Sequence, residues 1–289
     1  MSLSQGTQEK LQKLINWFRE AGSVLVAFSG GVDSSVVAVV AKYAIGDRVV
    51  AVTADSPLLP PGELEEAVKI AKNQNLRHIV IEVDELKNQN LVKNPPNRCY
   101  FCKKELMTTL KKVANDLNLK VVADGTNADD LKMHRPGFLA LVEEGIRSPL
   151  AEVGITKNEV REIARYLKLP NSEKPSMACI ASRFPYGQEI THDKIRRVAQ
   201  AEKFIKENIN VTQLRVRDHG SIARIEVLPH ERKLFFNEEL LDKITKKFKS
   251  LGYTYVTLDL EGYRTGSMDE VIEHKIVPEN KHLQGRNMS

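Results

Sequence analysis

Long apolar stretches are missing from this chain. No run approaches the roughly 18–20 residues needed to cross a bilayer, so no helical membrane span and no membrane partner are expected. The opening residues, Met1-Ser2-Leu3-Ser4-Gln5-Gly6, lack the basic-then-apolar pattern of a secretory leader. A cytoplasmic protein is the expectation. Cysteine is scarce: there are three in 289 residues, an odd number. In a cytoplasmic chain that argues against a disulfide framework and for metal or reactive-thiol chemistry. A strong charge of one sign is also absent, with 43 Lys and Arg against 38 Asp and Glu and a net charge of +5. No long Lys/Arg run is interleaved with aromatic residues, so no stable nucleic-acid complex is expected. An anionic small-molecule substrate is permitted.

What remains is ordinary for a globular protein. Hydrophobic residues make up 42% and charged residues 28%, which argues against disorder over most of the length. At about 150 residues per domain, one or two domains are expected.

The first part alternates strands and helices. Leu11, Leu14, Ile15 and Phe18 recur at helical spacing and predict a helix over 8–20. A buried strand is expected over 23–28, a helix over 36–44 and a second strand over 48–54. Pro61 opens a helix with Leu64, Ala67, Val68 and Ala71 on one face. A third strand spans 78–83, and Leu106, Leu110, Val113 and Leu117 mark the next helix. A fourth strand spans 120–124, and Val160, Ile163, Ala164 and Leu167 mark a further helix. This alternation predicts an α/β fold, a doubly wound parallel sheet whose ligands bind beyond the carboxyl ends of the strands. Beyond about residue 190 the pattern changes to a helix over 193–207, half-buried strands over 213–217 and 223–228, another helix, and a strand over 253–260. That reads as a smaller α+β domain. The expected division is 1–185, 186–276 and a polar tail, 277–289, without fixed structure.

Ser29-Gly30-Gly31-Val32-Asp33-Ser34-Ser35 lies between the first strand and its helix. Glycines there let backbone N–H groups approach an anion closely, and the helix N-terminus adds partial positive charge. No Gly-Lys-Ser/Thr follows, so this is not a Walker A loop, and the Gly-x-Gly-x-x-Gly spacing of a dinucleotide site is missing. A bare Gly-Gly would read as a tight turn with Ser34 capping the helix; the full string after an apolar strand is far more specific. It resembles the PP-loop ATP pyrophosphatase superfamily, of adenine nucleotide alpha hydrolase-like fold. Members cleave ATP between the α and β phosphates, adenylate a substrate and release pyrophosphate. The resemblance implies that Ser29, Gly30, Gly31, Asp33, Ser34 and Ser35 cradle pyrophosphate, with Asp33 assisting Mg²⁺. Gly125-Thr126-Asn127-Ala128-Asp129-Asp130 resembles the second superfamily element, and its carboxylates suit a hard cation. Taken alone, that loop also reads as a polar turn. On the same resemblance the nucleotide set takes in Gly125, Thr126 and Asp129, together with Asp55 and Lys103.

Cys99-Tyr100-Phe101-Cys102 is one cysteine pair, and Cys179 stands alone in Lys174-Pro175-Ser176-Met177-Ala178-Cys179-Ile180-Ala181-Ser182-Arg183. A lone CxxC can be a redox pair, half of a zinc site, or incidental. Three thiolates can instead hold three irons of a 4Fe-4S cluster and leave the fourth open. Cys179 alone would read as a small buried hydrophobe, but its neighbours Ser176, Ser182 and Arg183 are polar. Arg183 would lower the pKa of a thiol it met.

In the second domain Glu202 falls on the apolar stripe of its helix, with Ile195, Val198, Ala199 and Ile205. A carboxylate there needs a partner; it is either a helix-edge residue or a metal or substrate contact. Arg215 and Arg217 share one face of a strand, as do Arg224 and Glu226, and Arg264 sits in a Gly-bounded turn. Each could line a solvated face, and each could grip a phosphate.

Asn97-Arg98-Cys99-Tyr100-Phe101-Cys102-Lys103, the segment 174–183 and Gly262-Tyr263-Arg264-Thr265-Gly266 together resemble the LarE family over nearly the whole chain. These ATP-dependent sulfur transferases convert the carboxylates of pyridinium-3,5-biscarboxylic acid mononucleotide to thiocarboxylates, for the nickel-pincer nucleotide cofactor. One variant sacrifices a single cysteine at the position of Cys179 and leaves dehydroalanine. The other binds a cluster through three cysteines, here Cys99, Cys102 and Cys179, that passes on an extra sulfide. The three-cysteine pattern is the one present. The resemblance implies ATP, Mg²⁺ and a 4Fe-4S cluster, a sulfide or sulfur donor, a nucleotide-like substrate and a homo-oligomer. It assigns substrate contacts to Arg183, Glu202 and Arg264 and to Arg215 and Arg217, of which one or the other joins Arg264 at the phosphate. The rival readings are a tRNA thiolation enzyme of the same superfamily, an ammonia-using NAD or GMP synthetase-like ligase, and a non-enzymatic nucleotide sensor.

Overall fold

A computed structural model describes residues 3–132, 136–175, 177–264 and 266–268. The expected tail, Ser176 and Thr265 lie outside these residues. The chain divides into two compact units. One runs to Ile180 and includes Glu189–Ile195; the other takes Ala181–Gln188 and continues from Arg196.

The first unit contains α1 (Gln5–Ala21), β1 (Val24–Ala27), α2 (Val32–Ile45), β2 (Val49–Asp55), α3 (Glu63–Asn73), β3 (His78–Glu82), α4 (Gln89–Val92), α5 (Arg98–Asp116), β4 (Val121–Ala123), α6 (Pro136–Glu143), α7 (Pro149–Glu152) and α8 (Lys157–Tyr166). Its four strands are all parallel, in the order β3-β2-β1-β4. Successive strand residues face opposite sides, and the sequence uses both. Val24 and Val26 of β1 join Leu14 and Phe18 of α1, Val36 and Val40 of α2, and Val160 and Ile163 of α8. Leu25, Val50 and Val52 join Met107 and Leu110 of α5 and Leu141 of α6 in a separate core. A central strand apolar on both faces is what a doubly wound sheet requires. The β-α alternation is therefore as the periodicity implied.

The departures are local. α5 begins at Arg98, two turns before its apolar repeat begins at Leu106. Its first turns carry Arg98, Cys99, Cys102 and Lys103, so the CxxC pair stands on a helix rather than in a loop. α2 begins at Val32 with Gly31 as its N-cap; Ser34 is not the cap. Among the described residues no helix is long and apolar enough to cross a membrane.

The second unit holds β5 (Leu214–His219), β6 (Ile222–Val227), α10 (Glu238–Ser250) and β7 (Tyr255–Leu258). α9 (His192–Asn208) begins among residues of the first unit and ends in the second. β5 and β6 form an antiparallel hairpin, and β7 pairs parallel to β6. Ala201 and Ile205 of α9 pack with Val216, Ile225 and Phe248. β5 is buried on both faces, where a half-solvated strand was expected. Two of its polar residues, Arg217 and Asp218, are buried against charged partners. Asp218, fully buried, accepts Nε and Nη2 of Arg197 at 2.6 and 2.8 Å, Nε2 of Gln188 at 2.9 Å, the Gly220 N–H at 2.9 Å and the Tyr253 hydroxyl at 3.1 Å. Arg197 also lies 4.5 Å above the Tyr253 ring. Burial alone would raise the Asp218 pKa; Arg197, Gln188 and the Gly220 N–H outweigh it and hold it below the ordinary value of 3.8.

Asp218→Asn should therefore destabilise this unit by roughly 3–5 kcal/mol, the cost of breaking a buried pair. The depressed pKa means that the contribution of Asp218 is complete above 3.8 and is lost as pH falls through the lower folded-state value. Thermal unfolding of both proteins against pH checks this. The gap in Tm should be largest near neutrality and shrink below about pH 4.

Candidate active site

Beyond the carboxyl ends of β1, β2 and β4 lies a pocket of about 510 Å³. The loop after β1 forms its base. Gly30 takes φ +69°, and a Cβ there would stand 2.9 Å from the Cα of Ala67 in α3. The Ser34 hydroxyl donates to the Gly31 carbonyl at 3.1 Å and accepts the Ser29 N–H at 3.2 Å, which folds the loop on itself. No side chain caps α2, so the N–H groups of its first turn are available to an anion. Asn171 holds the loop from behind, its Nδ2 donating to the Gly30 carbonyl at 2.8 Å and to Ser35 Oγ at 2.9 Å.

The loop after β4 closes another side. A Cβ on Gly125 would stand 2.9 Å from the Ser34 nitrogen, so only glycine fits there. Asp124 accepts the Thr126 N–H at 3.1 Å and hydroxyl at 2.5 Å, and the Ser148 hydroxyl at 2.7 Å. Lys103 Nζ stands 3.5 Å from Asp124. Asp33 receives the Asn127 amide at 3.1 Å and an ion pair from Lys157. Lys157 is the first residue of α8, whose Thr156–Glu159 capping box fixes the helix start. Asp129 accepts the Lys157 N–H at 2.9 Å and the Lys132 ammonium at 3.0 Å, which lower its pKa.

Of the expected nucleotide residues, Ser29, Gly31, Asp33, Ser34, Lys103, Gly125 and Thr126 line the pocket. Gly30, Ser35, Asp55 and Asp129 are not among its lining residues. Lys157 and Asn171 were not anticipated. The Thr-x-x-Glu cap signal of 156–159 could have found the first; nothing short of the fold indicates the second.

Cys102 and Cys179 both line this pocket, whereas Cys99, one helical turn before Cys102 and exposed, does not. Burial pushes the Cys102 thiol well up, and negative charge at Glu85, Cys179 and Cys99 adds to it. Glu85, itself buried, accepts the Ser56 hydroxyl at 2.6 Å, and burial raises its pKa. Among the described residues no group of three His, Cys, Asp or Glu side chains is gathered closely enough to hold a metal ion.

The second unit holds the expected arginines, described by themselves. Glu202 has its partner: Arg183, fully buried, grips it through Nε at 2.9 Å and Nη2 at 3.1 Å, and the Val216 N–H adds a third bond at 3.0 Å. Glu226 accepts Nε and Nη2 of Arg217 at 2.9 and 2.7 Å and Nη2 of Arg224 at 3.0 Å. Arg264 pairs with Glu261 at 2.7 Å. Arg215 differs from these. It is 2% exposed, gives Nη1 to the Leu214 carbonyl at 2.7 Å, lies 5.2 Å from the Tyr263 ring centre, and buries Nη2 without a hydrogen-bond partner among the described residues. Burial and then the charge of Arg183 push its pKa down.

Comparison with known proteins adds the following. The family model "NAD synthase" matches residues 5–183. An uncharacterized protein of Synechocystis is 45% identical over 92% of this chain and 98% of its own length. The pyridinium-3,5-bisthiocarboxylic acid mononucleotide synthase of Lactiplantibacillus plantarum is 37% identical over 91% of this chain and 95% of its own. An uncharacterized protein of Methanocaldococcus jannaschii is 33% identical over 89% and 98%.

The contact at Gly125 gives a direct test of the pocket. Gly125→Ala should press on the Ser34 backbone and weaken binding of a nucleoside triphosphate at least about tenfold, or roughly 1.4 kcal/mol, with the circular dichroism spectrum unchanged. Calorimetric titration checks it; undiminished affinity would place the phosphates elsewhere.

Proposed function

This chain belongs to the NAD synthase family, and on that premise we propose that it is an ATP-dependent sulfur transferase. Its substrate in this reading is pyridinium-3,5-biscarboxylic acid mononucleotide, on the way to the nickel-pincer nucleotide cofactor. The observation that carries the reading is that two thiols, Cys102 and Cys179, open into the same pocket as the phosphate loop. An ammonia-using ligase of this family has no need of them.

The first half-reaction activates a carboxylate. Its oxygen attacks the α-phosphate of ATP, pyrophosphate departs, and an acyl adenylate remains. Oxide is a poor leaving group and AMP a good one. The protein contributes position and charge neutralisation. The first-turn N–H groups of α2 with Ser29 and Ser34 cradle the departing pyrophosphate, and Lys157 and Lys103 offset its charge. Magnesium is usually held by one or two carboxylates plus substrate phosphates, and Asp33, a pocket carboxylate in the first turn of α2, fits that role. When bound, the ion would neutralise phosphate charge.

In the second half-reaction sulfur displaces AMP. A 4Fe-4S cluster on Cys99, Cys102 and Cys179 has the right donor chemistry, three soft thiolates. Among the described residues these side chains are not gathered as a metal-binding group. The second reading is favoured by the exposure of Cys179 within the pocket. Its thiolate attacks the acyl carbon and AMP leaves; loss of the Cys179 Cα proton to solvent, with cleavage of the Cβ–S bond, then forms the Cα=Cβ double bond of dehydroalanine and releases the thiocarboxylate with the sulfur electron pair. Iron and acid-labile sulfide content after anaerobic reconstitution, with intact protein mass after turnover, separates the two.

For the substrate phosphate we assign Arg215, assisted by Arg264. The charge of Arg217 is taken up by Glu226, and that of Arg215 meets no carboxylate within ion-pair distance among the described residues. Arg215→Ala should raise KM for the phosphorylated substrate roughly ten- to a hundredfold, from a lost charged hydrogen bond of about 1.5–3 kcal/mol. KM for ATP should move by less than about twofold. Steady-state pyrophosphate release checks both values, and the opposite pattern would remove Arg215 from the substrate site.

A further inference from the structure

The described residues on either side of Cys179, 174–175 and 177–178, form no helix or strand, yet the segment is tied on both sides of the thiol. Upstream, Arg161 of α8 donates to the carbonyls of Ser172 at 3.0 Å and Lys174 at 3.2 Å. The Lys174 ammonium stands 2.7 Å from Glu63 and 2.8 Å from Glu66, two carboxylates in the first turn of α3. Only 13% of the Lys174 side chain and 13% of the Glu63 side chain is exposed. Downstream, the Ile180 N–H donates to the Leu58 carbonyl at 2.9 Å. Leu58 lies in the loop that leads into α3. Two of the grips on the thiol segment, at Lys174 and Ile180, thus close on one stretch of chain, 58–66. The same helix backs the phosphate loop, since Ala67 is the residue that leaves no room for a Cβ on Gly30.

α3 is therefore a common base for the phosphate loop and the thiol segment. We propose that Lys174, acting through Glu63 and Glu66, is the positioning residue that sets where Cys179 stands relative to the phosphate loop. This deepens the sulfur-transferase reading and rests on Cys179 being the thiol, or one of the thiols, from which sulfur is delivered. The physical need is plain. The acyl adenylate forms where the α-phosphate is held, and sulfur must reach that carbon from a segment with no helix or strand to stiffen it. A misplacement on the order of 1 Å costs roughly a hundredfold in rate. An apolar side chain at 174 could slide along α3; an ammonium between two carboxylates has one well-defined seat. Lys174 touches neither reacting atom in this assignment, so its effect falls on the second half-reaction.

The test uses Lys174→Gln, the milder Glu66→Gln at an exposed partner, and Lys174→Arg as the conservative replacement. Two quantities are read: amide hydrogen exchange over residues 177–180 in the ligand-free protein, and thiocarboxylate formed per pyrophosphate released. In Lys174→Gln exchange should quicken at least about tenfold over that segment and stay unchanged in α1 and β1. The product ratio should fall at least about tenfold. Glu66→Gln should shift both in the same direction by less, and Lys174→Arg should restore both. Unchanged exchange together with an unchanged ratio would overturn the assignment. So would pyrophosphate release falling as far as sulfur transfer, because Lys174 would then be a nucleotide contact. Should the wild-type protein form no thiocarboxylate at all, the sulfur-transferase reading fails by itself. The exchange measurement then decides the clamp, upheld by local quickening in Lys174→Gln and refuted by none.

Discussion

Backbone crowding around the phosphate loop governs the rest of the first unit. Gly30 lies against Ala67 of α3, Gly125 against the Ser34 nitrogen, and Asn171 holds the Gly30 carbonyl from behind. Three segments distant in sequence thus converge on one turn with no space for an added methyl group. Such a turn has little room to relax, so the N–H groups it presents are held in place before any ligand arrives. The apolar faces of β1 put the turn where it is, because a strand packed on both sides leaves its carboxyl end only one place to go. α5 brings Lys103 and Cys102 to the same pocket, and the segment before Ile180 brings Cys179.

The second unit shows a different economy, in which buried charge is matched almost completely. Glu202 takes Arg183, Glu226 takes Arg217 and Arg224, and Asp218 takes Arg197. Burying these groups is tolerable only because each is paired and hydrogen-bonded. Arg215 is the member left over. Its position opposite Glu226 in the β5–β6 register would allow a pair, but Arg217 occupies that carboxylate instead. This is the observation behind the proposal that Arg215 meets the substrate phosphate.

Much of this was legible in the sequence. The apolar runs at 23–28 and 48–54 and the helical repeats between them imply the doubly wound sheet, and the Ser-Gly-Gly-Val-Asp-Ser-Ser string marks the turn after β1 that lines the pocket. The need of Glu202 for a partner was visible from its place on an apolar stripe; that the partner is Arg183 was not, because pairing depends on how a loop folds onto a helix. Periodicity began α5 too late, since its first turns carry Arg98, Cys99, Cys102 and Lys103, of which Cys102 and Lys103 line the pocket, in place of an apolar repeat. Asn171 and Lys174 were invisible for a related reason. Each is an ordinary polar residue whose role exists only once a distant element, the phosphate loop or α3, lies beside it. The difference between Arg215 and Arg217 was also hidden, because residues on one face of a strand are equivalent until their cross-strand partners are known.

The central claim is that one pocket activates a carboxylate with ATP and then replaces its oxygen with sulfur. The most direct measurement is the mass of the organic product after anaerobic incubation of the protein with ATP, Mg²⁺, sulfide and pyridinium-3,5-biscarboxylic acid mononucleotide. The account predicts AMP and pyrophosphate in equal amounts, and a product in which sulfur has replaced carboxylate oxygen. Pyrophosphate release that proceeds equally well without the pyridinium compound, or an amide product when ammonia is supplied in place of sulfide, would contradict it.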